Sequence, residues 1–135
     1  MNKLRPLEPI GELEKLQVAA VADLGKRTNF WKLLLESDVW VVSDSTSDTN
    51  LVLHVWSSND EDTCPIFTSY SLLKNVMGPG TPFVQINAKI IFQSMVDGRM
   101  GAFINPRYDG QVRLRSRDLV ELLAGRFETV HGSDA

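Results

Sequence analysis

The chain has 135 residues, 43% of them hydrophobic and 23% charged, with a formal net charge of −3. Those values fit one ordinary globular domain with a real core, and the mild acidity argues against a general nucleic-acid binder, which needs a basic face. One cysteine and two histidines leave neither an intramolecular disulfide nor a Cys/His zinc set.

Residues 1–11 hold two prolines and a glycine and read as an arm entering the fold. They lack the apolar core of a signal peptide. No window is long and apolar enough for a membrane span, so a cytoplasmic protein is expected. Leu13, Leu16, Ala20 and Leu24 recur at helical spacing over residues 12–24, and Gly25 is the expected stop. Asn29 is the expected cap of a second short helix, "FWKLLLES". The period then changes: residues 38–43 and 51–56 are β-branched and aromatic, and polar links join them to a third strand, "CPIFT". This order predicts an antiparallel meander.

A short helix over residues 69–76 should end at "GPG", and residues 81–87 form a strand with Pro82 near its start. Residues 88–96 are helical, and 101–105 form a buried strand closed by Pro106. The arginines at 113, 115 and 117 read as a solvated element boundary, because Asp118 and Glu121 follow at once. Ser116 is the expected cap of a last helix ending at Gly125, with Asp118 in its first turn and Arg117–Glu121 at i,i+4. The expectation is a single α+β domain over residues 12–125, with a mixed sheet of about five strands, about five short helices and a flexible tail over 126–135.

Few residues look like chemistry. Thr68 and Ser69 stand where a strand enters a helix, but a hydroxyl nucleophile there needs a glycine-flanked elbow and a base. No glycine is near, and His54 sits in mid-strand. Capping of the next helix is the better reading of Ser69 or Thr68. Cys64 has no adjacent cation to activate it and reads as a small buried residue. The acidic runs lack the spacing of a calcium loop, and "GPGTPF" lacks the Lys-Ser/Thr of a phosphate loop. Trp40 and Trp56 are expected on neighbouring strands, sharing a face with His54, as core or as a binding surface.

Four segments in order, "FWKLLLESDVWVV", "IFTSYSLL", "AKIIFQSMVDGRMGAFINP" and "RDLVELLAG", resemble the N-terminal domain of the SseB (enhanced serine sensitivity) family of bacterial proteins. The likeness runs from about residue 28 to 125 and rests most on Phe67-Thr68-Ser69 and on Gly101 through Asn105-Pro106. It implies an α+β cytoplasmic domain without transferable catalytic residues; some relatives look like immunity or accessory proteins encoded beside toxins. In "GAFINP", Gly101 permits close backbone approach, and Asn105, extended before proline, is expected to aim its side chain at the "FTS" turn. The functional expectation is a non-enzymatic domain that binds a basic protein. Its expected contact set is Asp60, Glu61 and Asp62 at an acidic tip, Trp40 and Trp56 on the aromatic strands, and Phe67, Thr68, Ser69 and Asn105 at a polar edge. No catalytic residue, metal, cofactor, nucleic acid or membrane belongs to this reading. The alternative is a small-molecule or enzymatic site on the Thr68, Ser69 and Asn105 edge.

Overall fold

A computed structural model describes residues 4–8, 11–44, 52–57 and 60–130. The chain orders as α1 (Glu12–Ala22), α2 (Leu24–Glu36), β1 (Asp38–Val42), β2 (Thr63–Phe67), α3 (Tyr70–Met77), β3 (Phe83–Asn87), α4 (Ala88–Asp97), β4 (Gly101–Ile104), β5 (Val112–Leu114) and α5 (Ser116–Leu123), then a 3-10 turn over Phe127–Thr129. It is an α+β domain. None of the described helices is long and apolar enough to cross a membrane.

The strands form one mixed sheet in the order β3-β1-β2-β4-β5. β1 pairs antiparallel with both β2 and β3, while β2 and β4 run parallel, Thr63 opposite Gly101 and Ile66 opposite Ile104. Alternation sends Val39, Val41, Cys64, Ile66, Ala102, Ile104 and Leu114 to one face, where they form the main core with α1, α2, α4 and α5. On the opposite face Val42 and Phe67 pack with Leu72 and Leu73 of α3, and with Leu7 and Tyr108.

The antiparallel meander is not formed. β1 pairs directly with β2, which leaves no slot for a strand between them. The segment "LVLHVW", whose Leu51 lies outside the described residues, makes only isolated bridges, Leu53 to Ser43 and Trp56 to Thr63. β5 was missed from the sequence: its Arg113 and the flanking Arg115 disguise a short edge strand as a polar boundary. The helix boundaries shift as well. α1 ends before Asp23, whose carboxylate accepts from the Gly25 N–H at 2.9 Å and starts α2 there, so Asn29 lies inside α2 and Gly25 in its first turn. Residues 126–130 are not a loose tail: Val130 is buried in the main core. Residues 131–135 lie outside the described part.

α5 starts under long-range control. Its cap position is Arg115 rather than Ser116; the Asp118 carboxylate accepts from the Arg115 N–H at 2.9 Å, and Glu61, 55 residues away, accepts from the Ser116 N–H at 2.8 Å. Negative charge at these free first-turn amides is favourable. Gly101 makes the room, since a Cβ there would meet the Leu114 carbonyl at 2.2 Å and the Glu61 carboxylate at 3.0 Å. The expected effect of Gly101→Ala is a loss of about 1–3 kcal/mol, the cost of forcing atoms into a filled site, read from urea unfolding midpoints.

Candidate functional site

The "FTS" turn and the "INP" turn do meet. β2 and β4 are parallel neighbours, so their C-terminal ends, Phe67 and Ile104, emerge side by side. The Asn105 N–H donates to the Ile66 carbonyl at 2.8 Å, which prolongs the pairing by one residue. The chain then turns sharply, with Asn105 at φ +47 and Arg107 at φ +71. Asn105 is therefore left-handed rather than extended; asparagine tolerates this region better than other non-glycine residues.

In that conformation the Asn105 amide is engaged through both its oxygen and its nitrogen. Its Oδ1 accepts from the Thr68 N–H at 3.0 Å, and its Nδ2 donates both to Thr68 Oγ1 at 3.0 Å and to Gln17 Oε1 at 2.7 Å. The Gln17 Nε2 donates onward to the Gly110 carbonyl at 2.9 Å. The buried Glu14 side chain lies beside the same hydroxyl and the backbone amides at the start of α1, whose dipoles favour its charged form. Glu14, Gln17, Thr68 and Asn105 are all buried, Asn105 fully. Burial pushes the Glu14 carboxyl above its ordinary value of 4.5, against the opposing pull of the Thr68 hydroxyl and the backbone amides.

This cluster is closed and satisfied, and it joins α1 to the ends of β2 and β4. The polar edge expected at Thr68, Ser69 and Asn105 is thus an internal tie. Ser69 caps α3, accepting from the Leu72 N–H at 3.3 Å, and Phe67 is wholly buried beneath α3. None of Phe67, Thr68 and Asn105 is placed to touch a partner.

The other expected contact residues divide. Asp60 pairs with Arg115 (N–O 2.5 Å), and Glu61 is turned onto α5 while its carbonyl accepts from the Arg113 guanidinium at 3.1 Å. Asp62 is exposed. Trp40 and Trp56 are both half-buried but are not on neighbouring strands. Trp40 lies opposite Phe67 and Gln85 and packs beside α3. Trp56 stands edge-on to Phe103, ring centroids 6.2 Å apart at 77°, a favourable aromatic geometry. Its indole N–H donates to His54 Nε2 at 3.2 Å, which calls for a proton on His54 Nδ1, and that nitrogen sits 3.0 Å from Asp44. Phe103 was missing from the expected set: read as one residue of a buried strand, it is the member whose side chain points away from the main core.

Cys64 is buried, and desolvation, aided by the Asp62 charge, pushes its thiol up to about 12, the opposite of an activated nucleophile. Among the described residues no group of three His, Cys, Asp or Glu side chains is placed to hold a metal ion.

A small mixed sheet, four helices on one face, and a buried Thr–Asn tie between parallel strand ends define the class of domain. The family model for the SseB protein N-terminal domain matches residues 13–121, and the chain belongs to that family. No curated protein and no solved structure matches it.

The tie yields two expectations. Asn105→Ala should cost about 2–4 kcal/mol, because it leaves buried donors and acceptors unpaired. Asn105→Gly should cost about 1 kcal/mol less, since glycine keeps the left-handed turn free of strain; chemical denaturation of the two variants checks both. The second expectation concerns pH. A carboxyl raised in the folded state binds its proton more tightly there than when unfolded. Its contribution is therefore most favourable below the ordinary glutamate range and is lost as pH rises through the raised value. Wild type should lose stability relative to Glu14→Gln as pH climbs from about 4, and the gap should level once Glu14 is ionised. Urea midpoints across that range would show a constant gap if Glu14 were unshifted.

Proposed function

We propose that this domain is a non-enzymatic protein-interaction module that binds a basic partner protein through the open stretch of its second sheet face. The observation that carries the reading is the Trp56–Phe103 pair. Both rings are half-exposed on a face that α3 covers only around Val42 and Phe67. Large aromatic side chains at the centre of a patch are the usual energetic anchors of an interface. Exposed carboxylates of Asp44, Asp60 and Asp62 belong to the segments around them, and net charge −3 favours encounter with a cationic surface. The occupied hydroxyls of Thr68 and Ser69 and the inert Cys64 thiol support a binding role over a catalytic one. The more specific form is an immunity or accessory protein that occludes a partner enzyme, in a bacterial cytoplasm. A half-buried aromatic anchor on a chain of net negative charge suits the basic substrate cleft of an enzyme acting on a polyanion.

The test is comparative capture. Wild-type protein and the Trp56→Ala/Phe103→Ala variant, both checked for native circular dichroism, are used as baits in extract of the source cells. The expected result is a basic protein held by wild type, lost from the variant and released progressively by salt. Loss of one anchor should weaken that complex by about 2 kcal/mol or more. Identical retained proteins on both baits would overturn the reading.

A further inference from the structure

The sheet has two edges of different character. β5 is three residues long and carries Arg113, with Arg115 just beyond, the usual means of discouraging a further strand. β3, at the opposite edge, lacks that protection. Residues 81–87 contain no charged side chain, and among the described residues no strand lies outside β3.

The ladder says which backbone groups face outward. The Ser43 N–H donates to the Pro82 carbonyl at 3.1 Å, and the Ala88 N–H to the Ser37 carbonyl at 2.9 Å. In the register that pairs Val41 with Val84 and Val39 with Ile86, residues 82, 84, 86 and 88 therefore turn their amide groups toward β1. Phe83 and Gln85 turn theirs out. The imide nitrogen of Pro82 faces β1 as well, so the proline, often an edge blocker, leaves the outer side open. Apolar surface accompanies the open groups: Phe83 is 42% exposed and its ring lies 4.9 Å from that of Tyr70, itself exposed, with the Lys74 ammonium over the Tyr70 ring.

We infer that the outer edge of β3 pairs with β3 of a second copy of this chain, antiparallel about a two-fold axis, to give a continuous ten-stranded sheet from two five-stranded ones. The occupant is a second copy because the edge is self-complementary. With Val84 facing Val84, Phe83 of each copy opposes Gln85 of the other, and the outward N–H and C=O groups of both residues are all satisfied. A register centred on Gln85 would need the Asn87 carbonyl, which α4 already uses as its cap residue. No like charges meet along the seam. On the face that bears Tyr70, Lys74 of one copy approaches the side where the other holds Asp38, the carboxylate bonded by Gln85 Nε2 at 3.2 Å. So short a seam buries little area, and the association is weak and concentration-dependent.

Sedimentation velocity of the full chain, at micromolar and at near-millimolar concentration, reads the equilibrium, and amide hydrogen exchange under both conditions locates it. The expected result is a monomer–dimer shift in which the Phe83 and Gln85 amides exchange about tenfold more slowly or better at the high concentration. The Val84 and Ile86 amides, bonded to β1, stay protected in both. Phe83→Lys should restore the monomer, and Gln85→Lys, at another exposed position, serves if the first variant misfolds. A monomer throughout the range overturns the inference. So does a dimer in which exchange at Phe83 and Gln85 ignores concentration.

Discussion

The carboxamide of Asn105 is the point on which the rest of the fold closes. One planar group accepts from the Thr68 backbone and donates to the Thr68 hydroxyl and to Gln17. It thereby fixes the exit of β2, the exit of β4 and one face of α1 against each other. No apolar side chain could do this, because the groups it satisfies are backbone and side-chain dipoles that burial would otherwise leave unpaired. The geometry also demands the left-handed turn at Asn105, and the chain meets that demand with one of the few residue types that accept it cheaply. Glu14 is buried at the far end of the same network, and there the loss of hydration outweighs the nearby donors, so its carboxyl holds its proton to higher pH than usual.

With that end of the sheet closed, the two faces take different roles. Four helices seal the first face into a continuous apolar core. The second face carries one short helix, and the Leu7 and Tyr108 side chains fill in beside it. Arg5 helps hold the arm there: its N–H donates to the Arg107 carbonyl at 2.7 Å, and its own carbonyl accepts from Asp109 at 2.8 Å. What this partial cover leaves open is aromatic, and the polar groups nearest to it, His54 and Arg113, are engaged with neighbours of the same chain. A patch whose tryptophan ring is already fixed by a hydrogen bond loses little freedom when it is covered, which lowers the cost of binding.

Local signals in the sequence were accurate where local physics decides. Ser69, one of the two hydroxyls expected to cap the helix after its strand, does so here. Gly101 announced a close approach that the Leu114 carbonyl supplies. The meeting of Thr68 with Asn105 could be anticipated from the order of two short motifs, but its burial could not. Solvent access there depends on α1, whose Glu14 and Gln17 are far from both turns in the sequence. "LVLHVW" misled because β-branched and aromatic content measures fitness for a pleated surface, whereas strand status depends on a vacant neighbour, and β2 had already taken that place. β5 was hidden for the converse reason: an edge strand need not look apolar. Val130 lay beyond the last periodic segment, and only the packed position of α5 brings it to the core.

The spacing of the Asn105 contacts bears on synthesis. Gln17 and Asn105 lie 88 residues apart, and Gln17 and Gly110 93 apart. While the chain emerges from the ribosome, α1, α2 and the first two strands are made long before the amide that will satisfy them. During that interval Glu14, Gln17 and the Thr68 amide remain hydrated, and the surface that α1 later buries stays open. The closing step thus waits until Asn105 has been made, and contacts of such long sequence separation are the slow ones to form.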